Sequence, residues 1–347
     1  MRYLFCGLGS IGQRHLRNLR AVEGEAAEIL AWRTRGDGPV LTPEMTVLPG
    51  ADLESLYGVR SFARLEEALA ERPDVVFVTN PNSLHLETAL AAARAGCHLF
   101  IEKPVSHRLE GIGELDDEVE RRSLVAFVAY QFRFHPGLQR VKRILDEGRL
   151  GRLVAAHVVN GEYLPDWHPW EDYRETHPAR RELGGGALSI QTHELDFALW
   201  LFGLPRSVYA VGGHLSRLEV DVEDSVSLLL SCEQDGRRYP VHVHLDYLQR
   251  PPQRVCEVVG DRGKLRYDYY ANQVEMDDLA SRTSEVFRFD RFERNQMFVD
   301  ELVHFLACVR GEATSAVDLD EGVRSLRIAD AASRSLASGQ VEEVTGG

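Results

Sequence analysis

Short apolar runs alternate with amphipathic stretches over the first 125 residues. The apolar runs predict strands over 3–6, 28–32, 75–79, 98–102 and 125–129, with a shorter strand near Val59. The stretches between them predict helices over 13–21, 65–71, 83–95 and 109–122. Strands that alternate with helices indicate βαβ units and a parallel sheet. We therefore expect residues 1–125 to form a doubly wound α/β domain.

Beyond residue 125 the pattern changes to consecutive strands joined by short turns. Strands are predicted over 153–160, 207–215, 224–233, 238–248, 253–259 and 264–270. Helices are predicted over 136–147, 187–202, 295–310 and 320–337. Consecutive strands of this kind indicate an antiparallel sheet. We expect residues 126–347 to form a second, α+β domain.

A glycine-rich turn follows the first predicted strand and opens the first predicted helix. Its sequence, Gly7-Leu8-Gly9-Ser10-Ile11-Gly12, has the spacing of a dinucleotide-binding turn. The first glycine permits the tight turn, the second lets a pyrophosphate approach the backbone, and the third lets helix pack on strand. The amide N–H groups at the helix start favour phosphate. The first domain is therefore predicted to be a Rossmann domain that binds its cofactor through Gly7, Gly9, Ser10, Ile11 and Gly12. An incidental turn is the alternative.

The end of the second strand indicates which cofactor is bound. Twenty residues past Gly12 the sequence reads Trp32-Arg33-Thr34-Arg35, without the carboxylate that would bind the ribose 2′-hydroxyl of NAD. Arginine there can accept the 2′-phosphate of NADP instead. We expect NADP in preference to NAD, bound by Arg33 and Arg35. Solvated loop charges are the alternative.

The composition of the chain argues against several classes of binding partner. The formal net charge of -14 argues against nucleic acids and anionic membrane surfaces. Five scattered cysteines form neither a disulfide framework nor a zinc motif, and no apolar run is long enough for a membrane span. His242 and His244 share a strand face without an evident third ligand, so no metal site is expected. These features predict a cytoplasmic protein with a small-molecule substrate.

The predicted helix over 187–202 has a polar stripe on an otherwise apolar surface. Ser189, His193 and Asp196 fall on one narrow face, and Gly184-Gly185-Gly186 comes directly before the helix. A buried polar stripe is costly unless it lines a site or is paired internally. Both readings stay open from the residues alone.

The loop over 161–186 is rich in aromatic and basic residues. Aromatic faces such as that of Trp167 suit sugar rings, and arginine suits carboxylate or phosphate. We expect an anionic or nucleotide-linked sugar here, with a domain or oligomer contact as the alternative. Arg133, which follows a strand of the first domain, either lines the same cleft or is structural.

Four motifs together carry a family resemblance. They are Gly7 to Gly12 with His15, Asn80-Pro81-Asn82 with His85, Glu102-Lys103-Pro104, and Gly184-Gly185-Gly186 followed by His193 and Asp196. Over residues 1–340 the chain resembles the glucose–fructose oxidoreductase and inositol dehydrogenase family (Gfo/Idh/MocA). That resemblance implies a C-terminal domain with an open, mainly antiparallel sheet that often mediates dimers or tetramers. It also implies an active site between that domain and the Rossmann strand ends.

The resemblance further implies hydride transfer at a carbinol carbon of sugars, inositols or nucleotide sugars. Lys103, which follows a strand on the ligand side of the sheet, would orient the substrate hydroxyl and relay its proton, and His193 would act as general acid or base. Asn80, Pro81, His85 and Glu102 would join Lys103 at the cofactor. The predicted substrate contacts are Lys103, Arg133, Trp167, Ser189, His193 and Asp196.

One position departs from the family pattern. Ser189 stands where the family commonly has aspartate four residues before the histidine, and serine carries no charge at neutral pH. Two alternatives to a sugar or polyol dehydrogenase therefore stay open, a non-catalytic dinucleotide-binding regulator and a redox-neutral lyase or hydrolase. The presence of both Lys103 and His193 favours an enzyme.

Overall fold

The computed structural model describes residues 1–34 and 38–344, which divide into two compact units. The first unit, called the Rossmann unit here, comprises residues 1–130 and 295–323. The second unit comprises residues 131–294 and the chain from Arg324 onward. Within the described ranges no helix is both long and apolar enough to cross a bilayer.

Parallel strands form the centre of the Rossmann unit, and the order of its sheet is β3-β2-β1-β4-β5-β6. The strands are β1 (Arg2–Cys6), β2 (Glu28–Trp32), β3 (Val59–Phe62), β4 (Val75–Val78), β5 (His98–Glu102) and β6 (Ala126–Ala129). The helices are α1 (Ser10–Glu23), α2 (Leu53–Tyr57), α3 (Leu65–Ala70), α4 (His85–Arg94), α5 (Ile112–Arg121) and α9 (Arg294–Val309). The predicted doubly wound parallel sheet is confirmed. Helix α2 was not predicted, because its five residues lie in a stretch without clear periodicity.

Stacked aromatic rings fill the core of the Rossmann unit. The rings of Phe5 and Phe77 lie 4.5 Å apart, and those of Phe77 and Phe100 lie 4.9 Å apart. Phe305 of α9 packs edge-on against Phe100 at 5.2 Å. The returning segment 295–323 is therefore part of this core.

The second unit is built on a mostly antiparallel sheet of order β14-β13-β12-β11-β7-β10-β9-β8-β15, in which only β7 and β10 pair in parallel among the described strands. Its strands are β7 (Leu153–Gly161), β8 (Ser207–Gly213), β9 (Ser225–Gln234), β10 (Arg237–Asp246), β11 (Gln253–Gly260), β12 (Gly263–Asp268), β13 (Gln273–Asp278), β14 (Thr283–Arg288) and β15 (Glu342–Glu343). Its helices are α6 (Pro136–Asp146), α7 (Ala187–Ile190) and α8 (Thr192–Phe202), and α10 (Leu319–Ser338) extends from one unit into the other. The predicted mainly antiparallel sheet is confirmed.

Two differences from the predicted elements have local causes. Strands β13 and β14 were missed because their residues are mostly polar and, in β14, mostly exposed. The predicted single helix over 187–202 is wrong, since it is interrupted at Gln191, whose ψ of 39° lies outside the helical range. The Gln191 side-chain amide donates to the backbone oxygen of Asp246 on β10, at 3.0 Å. That hydrogen bond stabilises the chain where the helix is interrupted.

Candidate active site

The three glycines of the turn after β1 have different surroundings. An ideal Cβ on Gly7, whose φ is 103°, would lie 2.9 Å from the backbone nitrogen of Asn80. A Cβ on Gly12 would collide with the backbone oxygen of Gly7. A Cβ on Gly9 would have no described atom within 4 Å. The first and third glycines therefore serve internal packing, and the second borders open space that a ligand can occupy.

The N-terminus of α1 faces this turn without a side-chain cap. Gly9 is the N-cap, and Ser10 and Ile11 are the first residues of a 14-residue helix. The first N–H groups of a helix lack intrahelical partners and carry partial positive charge. The arrangement suits a pyrophosphate, and binding at these residues stays a prediction.

Gln13 joins a second loop to the glycine turn by hydrogen bonds. The sequence analysis did not predict this role. Its side-chain amide donates to the backbone oxygens of Leu8 and Pro39 at 3.1 and 2.9 Å, and its side-chain oxygen accepts from the Leu41 N–H. Only the fold brings residues 28 positions apart together here.

Arg33 lies directly after β2, where the sequence analysis placed the cofactor-selecting residue. Its guanidinium lies 3.5 Å from a carboxylate oxygen of Glu54 on α2, and its side chain is only 11% exposed. Arg35, the other predicted contact for a 2′-phosphate, lies outside the described residues. A preference for NADP stays a prediction, in which Glu54 and a ligand phosphate would compete for the Arg33 guanidinium.

The loop after β4 lies beside the glycine turn. Thr79 donates its hydroxyl to the Gly7 oxygen at 2.6 Å, and the Asn80 side-chain amide donates to the Thr88 hydroxyl at 2.9 Å. Pro81 follows in this loop, at the carboxyl end of the strand next to β1. The glycine turn and Asn80 therefore lie together at the point where the strand order reverses, which is the usual ligand crevice of such sheets.

Glu102 and Lys103 occupy the end of the next strand, β5. The Glu102 carboxylate is nearly buried; it lies 2.7 Å from Nε2 of the fully buried His15 and accepts the Lys103 N–H at 3.2 Å. His85 is also buried, with Nδ1 2.7 Å from the Pro104 oxygen and Nε2 2.8 Å from the Asn80 oxygen. Burial lowers the pKa of the His85 imidazole.

In the second unit, His193 lies near the start of α8 and is almost buried. The Gln131 side-chain amide lies 3.1 Å from Nε2 of His193. Because an amide NH₂ only donates, Nε2 of His193 is the acceptor in that contact. The Phe132 ring packs against the imidazole with 4.9 Å between centroids. Gln131, which the sequence analysis did not single out, thus orients the predicted acid or base.

Arg133 and Asp196 form a buried two-pronged ion pair. Arg133 Nη2 and Nε lie 2.7 and 3.0 Å from the two carboxylate oxygens, and both side chains are at most 5% exposed. The Ser325 hydroxyl donates to the same carboxylate at 3.3 Å. The pair anchors α8 to the segment before α6, and a direct substrate contact for either residue stays a prediction.

A second buried ion pair adjoins His193 in sequence. Arg254 of β11 donates to Glu194 at 2.8 Å, and its guanidinium lies over the Phe132 ring at 4.5 Å. Asn160 donates to the other oxygen of Glu194 at 3.2 Å. Burial raises the pKa of the Glu194 carboxyl, and the Arg254 charge opposes that rise. Sequence patterns gave no signal for this cluster, whose members come from three distant segments.

The remaining predicted contacts lie elsewhere in the second unit. Ser189 is half-buried in α7, whose first N–H groups are capped by the backbone and side chain of Glu223 at 3.0 and 3.1 Å. Trp167 packs edge-on against Tyr247 with 5.4 Å between ring centroids. His244 pairs with Asp246, and the described residues contain no group of three or more side chains placed to bind a metal.

This architecture defines a class of protein. A parallel sheet in this strand order, with a glycine turn after its first strand, is the Rossmann fold of dinucleotide-binding oxidoreductases. Residues 1–130 match the oxidoreductase family with an NAD-binding Rossmann fold, and residues 138–266 match the GFO/IDH/MocA C-terminal domain. The chain belongs to the GFO/IDH/MocA family of oxidoreductases.

Relatives of known name cover most or all of the chain. Myo-inositol 2-dehydrogenase of Thermotoga maritima is 25% identical over 368 residues and covers 100% of both chains. The 2,7-anhydro-N-acetylneuraminate hydratase of Mediterraneibacter gnavus is 25% identical over 77% of this chain and 67% of its own. The WlbA dehydrogenase of Bordetella pertussis, solved with NADH and UDP-GlcNAcA, shares the fold with a TM-score of 0.80 at 24% identity, over 100% of this chain and 98% of that one.

Proposed function

We propose that the protein transfers hydride between a nicotinamide dinucleotide and a carbinol carbon of a sugar, sugar acid, nucleotide sugar or inositol-type polyol. The observation that carries this proposal is the open space over Gly9 at the uncapped start of α1. A pyrophosphate there would meet the first N–H groups of the helix and its positive end. The name of one relative, an inositol dehydrogenase, and the UDP-GlcNAcA bound in the solved WlbA dehydrogenase support the substrate class.

Two side chains are proposed to transfer the substrate proton, while the bound nicotinamide would supply or accept the hydride. Lys103 would bind the substrate hydroxyl and relay its proton. His193 would act as the second acid or base, with its ring orientation set by Gln131. The carboxylate that Ser189 lacks would not be replaced by Asp196, because Arg133 already neutralises Asp196.

The finer cofactor proposal is NADP in preference to NAD. It is supported by Arg33 at the end of β2 and by the absence of a carboxylate among Trp32, Arg33 and Thr34. Glu54 competes for the same guanidinium. NADPH and NADH should therefore both bind, and NADPH should bind more tightly.

We propose an acidic or nucleotide-linked sugar as the substrate. The aromatic and basic loop over 161–186, which includes Trp167, supports this class, and the UDP-linked sugar bound by the WlbA dehydrogenase is of the same kind. Activity confined to neutral polyols would contradict it.

The oligomeric state and the cellular location of the protein are proposed in the same way. Tyr209, Val211 and Leu229 are exposed on the sheet face of the second unit, and an apolar sheet face of this kind suits a homo-oligomer contact. Light scattering that gives the mass of a monomer would contradict the assembly.

All five cysteines are buried free thiols, which suits a reducing, cytoplasmic compartment.

A redox-neutral reaction is the second candidate, because one relative is named as a hydratase. Such an enzyme would oxidise its substrate, eliminate or add water, and reduce the intermediate with the same hydride. Its cofactor would show no net change.

A substrate panel separates these candidates. Myo-inositol, a sugar acid and a UDP-linked uronic acid are each mixed with wild-type protein and NAD⁺ or NADP⁺, and absorbance of the reduced nicotinamide is followed. A dehydrogenase gives a lasting signal that Lys103→Met abolishes. Product formation without a signal favours the redox-neutral reaction, and neither signal nor product across the panel contradicts the proposed oxidoreduction.

A further inference from the structure

Two buried histidines in the Rossmann unit are tied to the residues on either side of Lys103. His15 on α1 contacts Glu102, which directly precedes Lys103. His85 at the start of α4 contacts Pro104, which directly follows it. We call these contacts the His15 clasp (His15 and Glu102) and the His85 clasp (Asn80, His85 and Pro104).

The His15 clasp brings an imidazole nitrogen against a nearly buried carboxylate. His15 is fully buried, and its ring lies 4.8 Å from the ring of Phe100 and 6.0 Å from that of Phe298. A carboxylate in such surroundings is costly unless it is hydrogen-bonded. The imidazole therefore holds Glu102 in place, and the second oxygen of Glu102 accepts the Lys103 N–H. These two contacts thereby link α1 to the backbone of Lys103.

The His85 clasp joins two loops through one ring. Both nitrogens of His85 lie at hydrogen-bond distance from carbonyl oxygens, one on the loop after β4 and one on the loop after β5. A neutral imidazole can donate to one of these oxygens and an imidazolium to both. The ring is packed between Asn80, beside the glycine turn, and Pro104, and it bonds both carbonyls when both of its nitrogens carry a proton.

We propose that His15 and His85 are positioning residues for Lys103, because each fastens one neighbour of Lys103 to an element that borders the dinucleotide turn. The inference rests on the proposed function of Lys103. Neither histidine touches the substrate in this account. Their task is to keep the Lys103 ammonium at a fixed place relative to the cofactor, where a displacement of about 1 Å can cost about 100-fold in rate.

The lysine content of the chain permits a test that needs no substrate. The chain has three lysines, Lys103, Lys142 and Lys264. Reductive methylation with ¹³C-formaldehyde gives each lysine an NMR resonance, and Lys103→Arg identifies that of Lys103. Lys142 and Lys264 pair with Asp146 and Glu257 on the second unit and serve as internal references.

The variants are His15→Phe, which suits the aromatic surroundings, and His85→Asn, which is too short to reach both carbonyls. Each should move the Lys103 resonance toward those of the two reference lysines and leave the references unchanged. The matched control is His98→Asn at the opposite end of β5, where the imidazole accepts the Val125 N–H. This control should leave all three resonances in place.

Kinetics supply the second readout, with the best substrate of the panel. Both clasp variants should lose about 10- to 100-fold in kcat, with a larger deuterium isotope effect and a smaller change in NADH affinity. Glu102→Gln, which keeps one acceptor oxygen for either His15 or the Lys103 N–H but not for both, should lose less than His15→Phe. If His85→Asn does not fold, His85→Gln, whose amide still reaches one carbonyl, takes its place.

Two outcomes would overturn the inference. One is a wild-type Lys103 resonance and kcat in both clasp variants. The other is an equal Lys103 shift in His98→Asn, because general loosening of the unit would then explain the effect. An active Lys103→Met enzyme would instead contradict the proposed function, whatever the resonances show.

Discussion

Single residues at the dinucleotide turn meet separate physical demands. Gly7 and Gly12 are required because a side chain would strike the backbone of Asn80 or of Gly7 itself. Gly9 has no such neighbour among the described residues, so its lack of a side chain leaves room for a ligand. These roles could be predicted from sequence because the six-residue motif is local and its geometry recurs in this fold.

Other functional residues could not be predicted because their partners are distant in the chain. Gln131 and His193 are separated by 62 positions, and Arg254 and Glu194 by 60. No periodic pattern records contacts of that range. The signal that was present, a polar stripe on an apolar helix, indicated either a functional site or internal pairing and identified no partners.

Arg33 allows a prediction about cofactor choice. Arg33→Ala should weaken NADPH binding by about 10- to 100-fold, because a charge-assisted hydrogen bond to phosphate is worth about 1.5–3 kcal/mol. NADH, which has no 2′-phosphate, should bind nearly as before. Titration of both cofactors measures the ratio of their dissociation constants.

The matched variant is Glu54→Gln, which removes the competing carboxylate. It should strengthen NADPH binding relative to NADH. A ratio that neither substitution changes would show that Arg33 does not select the cofactor.

At the scale of elements, α8 is held by ion pairs rather than by its apolar surface alone. Asp196 is fully buried against Arg133, and Glu194 is fully buried against Arg254. The sequence predicted one long helix because Gln191 is a fair helix former. Tertiary bonds from Gln191 and Glu223 overrode that preference.

Asp196→Asn should destabilise the second unit by about 3–5 kcal/mol, because it leaves the Arg133 charge buried without its counter-charge. Urea unfolding followed by circular dichroism gives the free energy. Asp146→Asn is the matched control, since Asp146 pairs with Lys142 on the exposed surface of α6 and such pairs contribute about 0–1 kcal/mol. Equal losses in the two variants would contradict a special role for the buried pair.

On the scale of the whole molecule, the order of strands and helices along the chain predicted the fold class of both domains. The strand order within each sheet and the return of a late segment to the Rossmann unit depend on long-range contacts. The parallel pairing of β7 with β10 joins residues about 85 positions apart. The return of residues 295–323 to the Rossmann unit is carried by contacts such as Phe305 on Phe100 and the Val128 N–H on the Val317 oxygen. Neither leaves a local pattern in the sequence.

One buried histidine contributes to the response of the second unit to acid. Burial and, to a lesser extent, the Arg254 charge lower the pKa of His135 to about 3, against about 6.5 in an unfolded chain. Between these values the unfolded state binds a proton that the folded state does not, so stability is lost as pH falls. The loss from this group should be about 2 kcal/mol between pH 6.5 and 5.

His135→Asn should remove that part of the pH dependence. Asparagine can still accept the Gly137 N–H at the start of α6, so the cap is retained. Unfolding free energies at several pH values compare the two proteins. Parallel curves for wild type and variant would contradict the assignment to His135.

The central claim is that a nicotinamide dinucleotide lies over Gly9. Calorimetric titration of NADH and NADPH into wild type and Gly9→Val tests it without any substrate. The added side chain enters space that no described atom occupies, so folding should be nearly unchanged, while binding of both cofactors should fall by at least about tenfold, about 1.4 kcal/mol. A wild-type protein that binds neither cofactor, or a folded Gly9→Val that binds as wild type does, would contradict the account.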